Sequence, residues 1–170
     1  MGLAKRLRKK YSRPLKIWDK EKIAIDKDLM KRYGLKNKKE IWRAESLLRK
    51  IRERARELIA LRATGKGEEE TKKFIQKLNR QGILNKENAE IDDILELSIE
   101  DILKRRITSI IFYNLNKAKS IKEARQLVVH NHVYIGERII NSPSYLVLKE
   151  EEKMININKP TTIKNGEQSA

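Results

Sequence analysis

The sequence predicts an α+β protein, with a helical basic N-terminal region followed by a small module of two helices packed on a short β-sheet. Three observations lead there. Apolar residues recur at three- and four-residue spacing through residues 40–62 and again after residue 98. Two-residue alternation is confined to short runs beyond residue 131, and positive charge is crowded into the first half of the chain.

The charge sets the class of partner. Of 170 residues, 40 are Lys or Arg and 24 are Asp or Glu, a formal net charge of +16. Residues 1–90 hold 28 basic and 13 acidic side chains, whereas residues 91–170 hold 12 and 11, so the first half is the electrostatic anchor. Self-repulsion of this size is relieved by a polyanion. With 39% hydrophobic and 5% aromatic residues the chain is too polar for one large core, and part of it is expected to gain order on its partner. Cysteine is absent, which excludes disulfides and thiolate zinc sites and fits a reducing cytosol. Met1 leads directly into Lys5 and Arg6, and no apolar run reaches signal-peptide or membrane-span length. A cytoplasmic protein with no membrane partner is expected.

Residues 1–39 read as a basic arm. Lys5, Arg6, Arg8, Lys9, Lys10, Arg13 and Lys16 precede the first acidic residue, with Tyr11, Pro14 and Trp18 interleaved. A one-signed run with aromatics favours contact with nucleic acid over a solvated tail. Pro14 argues against one continuous helix through it.

Residues 40–97 read as a helical region. The spacing predicts a long amphipathic helix over residues 40–62, with Ala44, Leu47, Leu48, Ile51, Ala55, Leu58 and Ile59 inward. Its other faces carry Arg43, Arg49, Lys50, Arg52, Arg54 and Arg56. Arginine forks onto phosphate or stacks on a base, so this side is assigned to RNA; the alternative is a solvated face on which Glu45, Glu53 and Glu57 pair with it. Gly65-Lys66-Gly67 ends the helix and lacks the spacing of a nucleotide phosphate loop. A shorter helix is predicted over residues 71–81, with Phe74, Ile75 and Leu78 inward and Gly82 as terminator. Residues 85–96 form an acidic connector, in which Asp92 and Asp93 serve as helix-start charge.

Residues 98–158 read as the compact module. A helix opens at Ser98-Ile99-Glu100-Asp101, with Ile102, Leu103, Ile107, Ile110 and Ile111 as one stripe interrupted by Lys104, Arg105 and Arg106. Ser120-Ile121-Lys122-Glu123 is a capping box opening a second helix, with Ile121, Ala124, Leu127 and Val128 inward. Asn131 tolerates the left-handed turn that ends it. Residues 132–135, 138–140 and 145–147 then read as short strands, and residues 154–158 as an edge strand. Residues 102–147 hold 8 basic and 2 acidic side chains. Residues 159–170 are a polar tail expected to be mobile.

Residues 103–107, 118–130, 132–135 and 143–147, in that order, resemble the RNA-binding module named after the ribosomal protein family S-four. Residues 37–44 and 54–58 further resemble the upstream portion of archaeal and eukaryotic ribosomal members. The resemblance implies a structural protein of the small ribosomal subunit that binds its ribosomal RNA early in assembly. It also implies a position near the messenger entry and decoding region, where it influences accuracy. Its partners would be ribosomal RNA, neighbouring small-subunit proteins and messenger RNA at the entry channel. Carried over by position, Arg106, Lys119, Ser120, Lys122, Arg125, Gln126 and His130 lie on the RNA face, with Lys104, Arg105 and Asn131 beside them. Asn131 stands where the family has a glycine, and the loop before Ser120 is one residue longer.

No enzymatic constellation competes. His130 and His132 are the only histidines and have no visible co-ligands, so neither metal nor cofactor is expected. Ser120 already has sufficient work as a cap. Trp18 and Trp42 suit either base stacking or packing. An RNA-modifying enzyme carrying the same module would need a separate catalytic domain, and the remaining residues offer no convincing acid/base constellation. A free messenger or transfer-RNA binder would differ by associating only transiently with ribosomes.

Overall fold

The computed structural model describes residues 9–65, 67–84 and 90–158. The expectations for Lys5, Arg6, Arg8, residues 85–89 of the acidic connector and the tail at 159–170 fall outside these residues.

The first helix, α1 (Lys20–Arg32), lies inside the stretch read as an arm. Asp19 caps it, its carboxylate accepting from the Glu21 amide at 3.2 Å, while Lys31 and Arg32 complement the C-terminal dipole. Only Asp26 and Leu29 of α1 are buried, so it carries almost no apolar periodicity to read. α2 (Lys38–Ala63) is the expected long helix, with Ile41, Ala44, Leu48, Ile51, Ala55 and Leu58 buried. α3 (Glu68–Arg80) follows with three glutamates in its first turn, and α4 (Ile91–Glu96) forms within the expected connector.

α5 (Ile99–Lys104) starts at the Ser98 capping box, but the single helix predicted through residue 111 is broken. Arg106 is extended (φ −70°, ψ 143°). Here the chain pairs with residues 145–147: the Ile107 amide donates to the Tyr145 carbonyl at 2.9 Å and the Val147 amide to the Arg105 carbonyl at 3.0 Å. Residues 145–147 are thus taken up by this rung and do not join the sheet. Beyond it the chain resumes as α6 (Ile107–Ser109) and a π-helical turn (Ile110–Asn114).

α7 (Ile121–Val129) is followed by β1 (Val133–Ile135), β2 (Arg138–Ile139), α8 (Lys149–Glu152) and β3 (Ile155–Ile157). The sheet is antiparallel with order β2-β1-β3; Tyr134 faces Ile139, and Val133 faces Ile157. Residues 154–158 therefore supply the edge strand their alternation predicted. Asn131 takes the left-handed conformation expected of it (φ 63°).

Two hydrophobic cores meet at the Arg105–Arg106 break. One gathers residues from Leu29 to Leu103, including Ile41, Leu58, Leu78 and Ile94. The other runs from Ile107 to Ile155 and is built on Ile110, Ile111, Val128 and Val133. Each large aliphatic side chain buried in them contributes about 1.5–3 kcal/mol.

Candidate nucleic-acid interface

One carboxylate ties α2 to two arginines on the second core's side of the joint. Glu40, in the first turn of α2, accepts from Arg106 Nη2 at 2.6 Å and from Arg125 Nη2 at 3.0 Å. Arg106 also donates to the Pro143 carbonyl (3.2 Å), and Arg125 to the Gly34 carbonyl (3.1 Å). Gly34 is in the left-handed region, and an added Cβ there would lie 2.9 Å from Ile121 Cγ1. A side chain at that position would push α7 off the α1–α2 turn. Burial alone would raise the Glu40 carboxyl, but the hydrogen bonds from Arg125 and Arg106 outweigh it and hold it below the usual glutamate range. Burial pulls the Arg106 guanidinium below its ordinary value, yet a guanidinium keeps its proton in proteins.

Three arginines expected on the RNA face are engaged by protein acceptors. The Arg106 side chain is only 5% exposed and its donors are taken by protein acceptors. Arg125 is half-buried on the same carboxylate. Arg105 is buried, donating to the Val147 carbonyl (2.7 Å) and pairing with Glu152 (2.9 Å). Buried arginine needs such partners, and a run of three cations in sequence carries no sign of which turn inward. Lys104 alone of the run is exposed, near Asp101 at 3.4 Å.

On α7 the outward residues stay available. Lys119, Ser120, Lys122, Gln126, His130 and Asn131 are all exposed, while Ala124, Leu127 and Val128 face the core. Helical spacing places Lys122, Gln126 and His130 on one ridge, with Lys119 just ahead of the Ser120 cap at its N-terminal end. The serine half of the capping box forms as expected, the Glu123 amide donating to Ser120 Oγ (3.2 Å), but Glu123 Oε2 accepts from the Lys119 amide (2.6 Å) and not from that of Ser120. Glu123 is thereby drawn into the turn, and the two lysines keep their charge unpaired among the described residues.

The helical region divides similarly. Arg13, Arg43 and Arg56 are exposed and make no ion pair among the described residues. Arg49 is exposed but donates to Ser12 Oγ (2.8 Å), holding the arm on α2. Arg52 is half-buried and donates to the Leu97 carbonyl (2.6 Å). Arg54 pairs with Glu57 and Glu70, the helix-surface fate weighed for this face. Trp42 is half-buried beside Tyr11, ring centroids 5.9 Å apart, whereas Trp18 is exposed. Among the described residues no three His, Cys, Asp or Glu side chains are grouped to hold a metal ion, and no helix is long and apolar enough to cross a membrane.

A charged ridge on a small helix–sheet unit, clamped to a basic helical region, is the build of a nucleic-acid-binding protein. Residues 105–153 match the family described as S4 domain. The chain is 43% identical to the small ribosomal subunit protein uS4 of Nanoarchaeum equitans, over 97% of this chain and 91% of the relative. It is 44% identical to that of Ignicoccus hospitalis (91% and 92%) and 45% to that of Hyperthermus butylicus (91% and 86%). The chain belongs to the uS4 family of small ribosomal subunit proteins.

Proposed function

We propose that the chain is a structural, non-catalytic constituent of the small ribosomal subunit that works in the cytoplasm by binding ribosomal RNA directly. The unpaired ridge of α7, formed by Lys122, Gln126 and His130 with Lys119 at its N-terminal end, is the observation that carries this reading. Ser120 and Asn131 stand at its two ends, and Arg13, Arg43, Arg49 and Arg56 extend the contact along the arm and α2. The arm residues Lys5, Arg6 and Arg8 and the exposed Lys104 add phosphate contacts. Arg52, Arg105, Arg106 and Arg125 hold the frame.

Family membership supports finer roles: binding early in assembly, joining several RNA helices, contacting neighbouring proteins, and lying near the messenger entry channel where translational accuracy is set. Specificity would come from the shape of an RNA junction, because duplex RNA hides its bases in a deep groove. The test is the salt dependence of RNA affinity. Lys119→Ala/Lys122→Ala lowers the magnitude of the slope of log affinity against log salt by about 1.5–2 if both lysines neutralise phosphates. An unchanged slope and affinity in a folded double variant overturns the assignment of this ridge.

A further inference from the structure

Among the described residues, the two most exposed large apolar side chains lie three positions apart in residues 14–18, well above isolated exposed residues such as Ile25 and Met154. There Leu15 is 104% exposed, Ile17 45% and Trp18 88%. A tryptophan offers one of the largest apolar surfaces of any side chain, and leaving it in water forgoes a corresponding stabilisation. The segment is tied down at both ends. Ser12 is anchored to α2 through Ser46 (3.1 Å) and Arg49 (2.8 Å), Tyr11 packs on Trp42, and Asp19 is fixed as the cap of α1. A hollow of about 580 Å³ opens beside it, lined in part by Arg13, Leu15, Lys16 and Arg49.

The charge around this apolar surface indicates what covers it. Lys9, Lys10, Arg13, Lys16 and Lys20 are exposed and pair with no carboxylate among the described residues. The one acidic residue between positions 9 and 20, Asp19, is engaged by the helix cap. An aromatic ring set among unpaired cations is the arrangement that receives single-stranded nucleic acid: bases stack on the ring and flanking phosphates meet the cations. A protein partner would have to bring enough carboxylates to match at least five positive charges.

We propose that residues 13–18 form a second RNA anchor, built on different elements from the α7 ridge. In it an unstacked base lies on the Trp18 indole against Leu15, with adjoining phosphates on Arg13 and Lys16. The inference rests on the RNA-binding reading above and adds to it a contact of another kind. The α7 ridge contributes charge, whereas Trp18 contributes stacking, which is nearly independent of salt.

The test uses the full chain and small-subunit ribosomal RNA across a salt series, with Trp18→Ala, Trp18→Phe and the wild type. Because the indole is exposed, neither substitution is expected to unfold the protein, and circular dichroism checks this. Trp18→Ala should weaken binding roughly tenfold to a hundredfold with the salt slope unchanged, and Trp18→Phe should retain most of the affinity. In a Trp42→Phe background, RNA should quench the remaining Trp18 fluorescence. Equal affinity of Trp18→Ala and wild type, without quenching, overturns the proposal. So does a Trp18→Ala defect seen only when other ribosomal proteins are added, which would assign the surface to a protein. If the wild type itself shows no preference for ribosomal RNA, the underlying RNA reading fails instead.

Discussion

Replacing Glu40 with Ala removes the carboxylate that α2 lends to two arginines of the other core. Arg106, 5% exposed, would keep only the Pro143 carbonyl, and the half-buried Arg125 only the Gly34 carbonyl. Removing one partner of a buried ion pair costs about 3–5 kcal/mol, most of it the burden of a charge left unpaired away from water. Against a domain stability of about 5–15 kcal/mol, that is a large fraction. Urea denaturation should show the midpoint falling with the slope unchanged, as for a loss of stability without change in the surface exposed. Glu40→Gln keeps an amide acceptor but no charge and should fall between wild type and Glu40→Ala. Glu40→Met/Arg106→Met removes the carboxylate and the more buried of its two arginines, and should recover part of the loss while Arg125 stays without its carboxylate. A Glu40→Ala protein within about 0.5 kcal/mol of wild type would refute the clamp, since that is the range of ordinary surface substitutions.

The same carboxylate predicts an acid response. Its folded pKa is depressed, so its stabilisation is complete above the ordinary glutamate value of 4.5 and is lost as pH falls through the lower folded value. Asp101 and Glu152 are lowered as well and act in the same direction, so stability measured from pH 6 to pH 3 should decline, less steeply in Glu40→Gln. Gly82→Ala should destabilise by more than about 1 kcal/mol, measured as a shift of the denaturation midpoint. Its φ is +68°, and the new Cβ would lie 2.5 Å from the Cζ of Arg105, a guanidinium fixed by Val147 and Glu152. Asn131→Gly should leave stability almost unchanged, whereas Asn131→Val should cost about 1–2 kcal/mol, because a β-branched residue resists the left-handed turn.

Elements with strong local signals are legible in the amino-acid sequence alone. The stripe through α2, the Ser120 cap, the left-handed Asn131 and the edge strand at 155–157 each depend on near neighbours in the chain. α1 is hidden because only two of its residues are buried, one of them Asp26. The break at Arg105–Arg106 is hidden for a different reason: residues 102–111 keep helical periodicity throughout, and the pairing with residues 145–147 that interrupts it is long-range. The site is legible to the same degree. Lys122, Gln126 and His130 are outward because α7 is amphipathic, which spacing reveals. Arg105, Arg106 and Arg125 turn inward because Glu152 and Glu40, 47, 66 and 85 residues away respectively, are there to meet them. Nothing in the local sequence distinguishes those arginines from their exposed neighbours.

The central claim is that this basic chain recognises ribosomal RNA and is not merely attracted to polyanions. The most direct measurement compares its affinity for small-subunit ribosomal RNA with that for an equal length of unrelated structured RNA as salt is raised. A preference for the ribosomal RNA that persists while both affinities fall is the predicted result, because counterion release is common to the two RNAs and shape recognition is not. Equal affinities that vanish together with salt would contradict it.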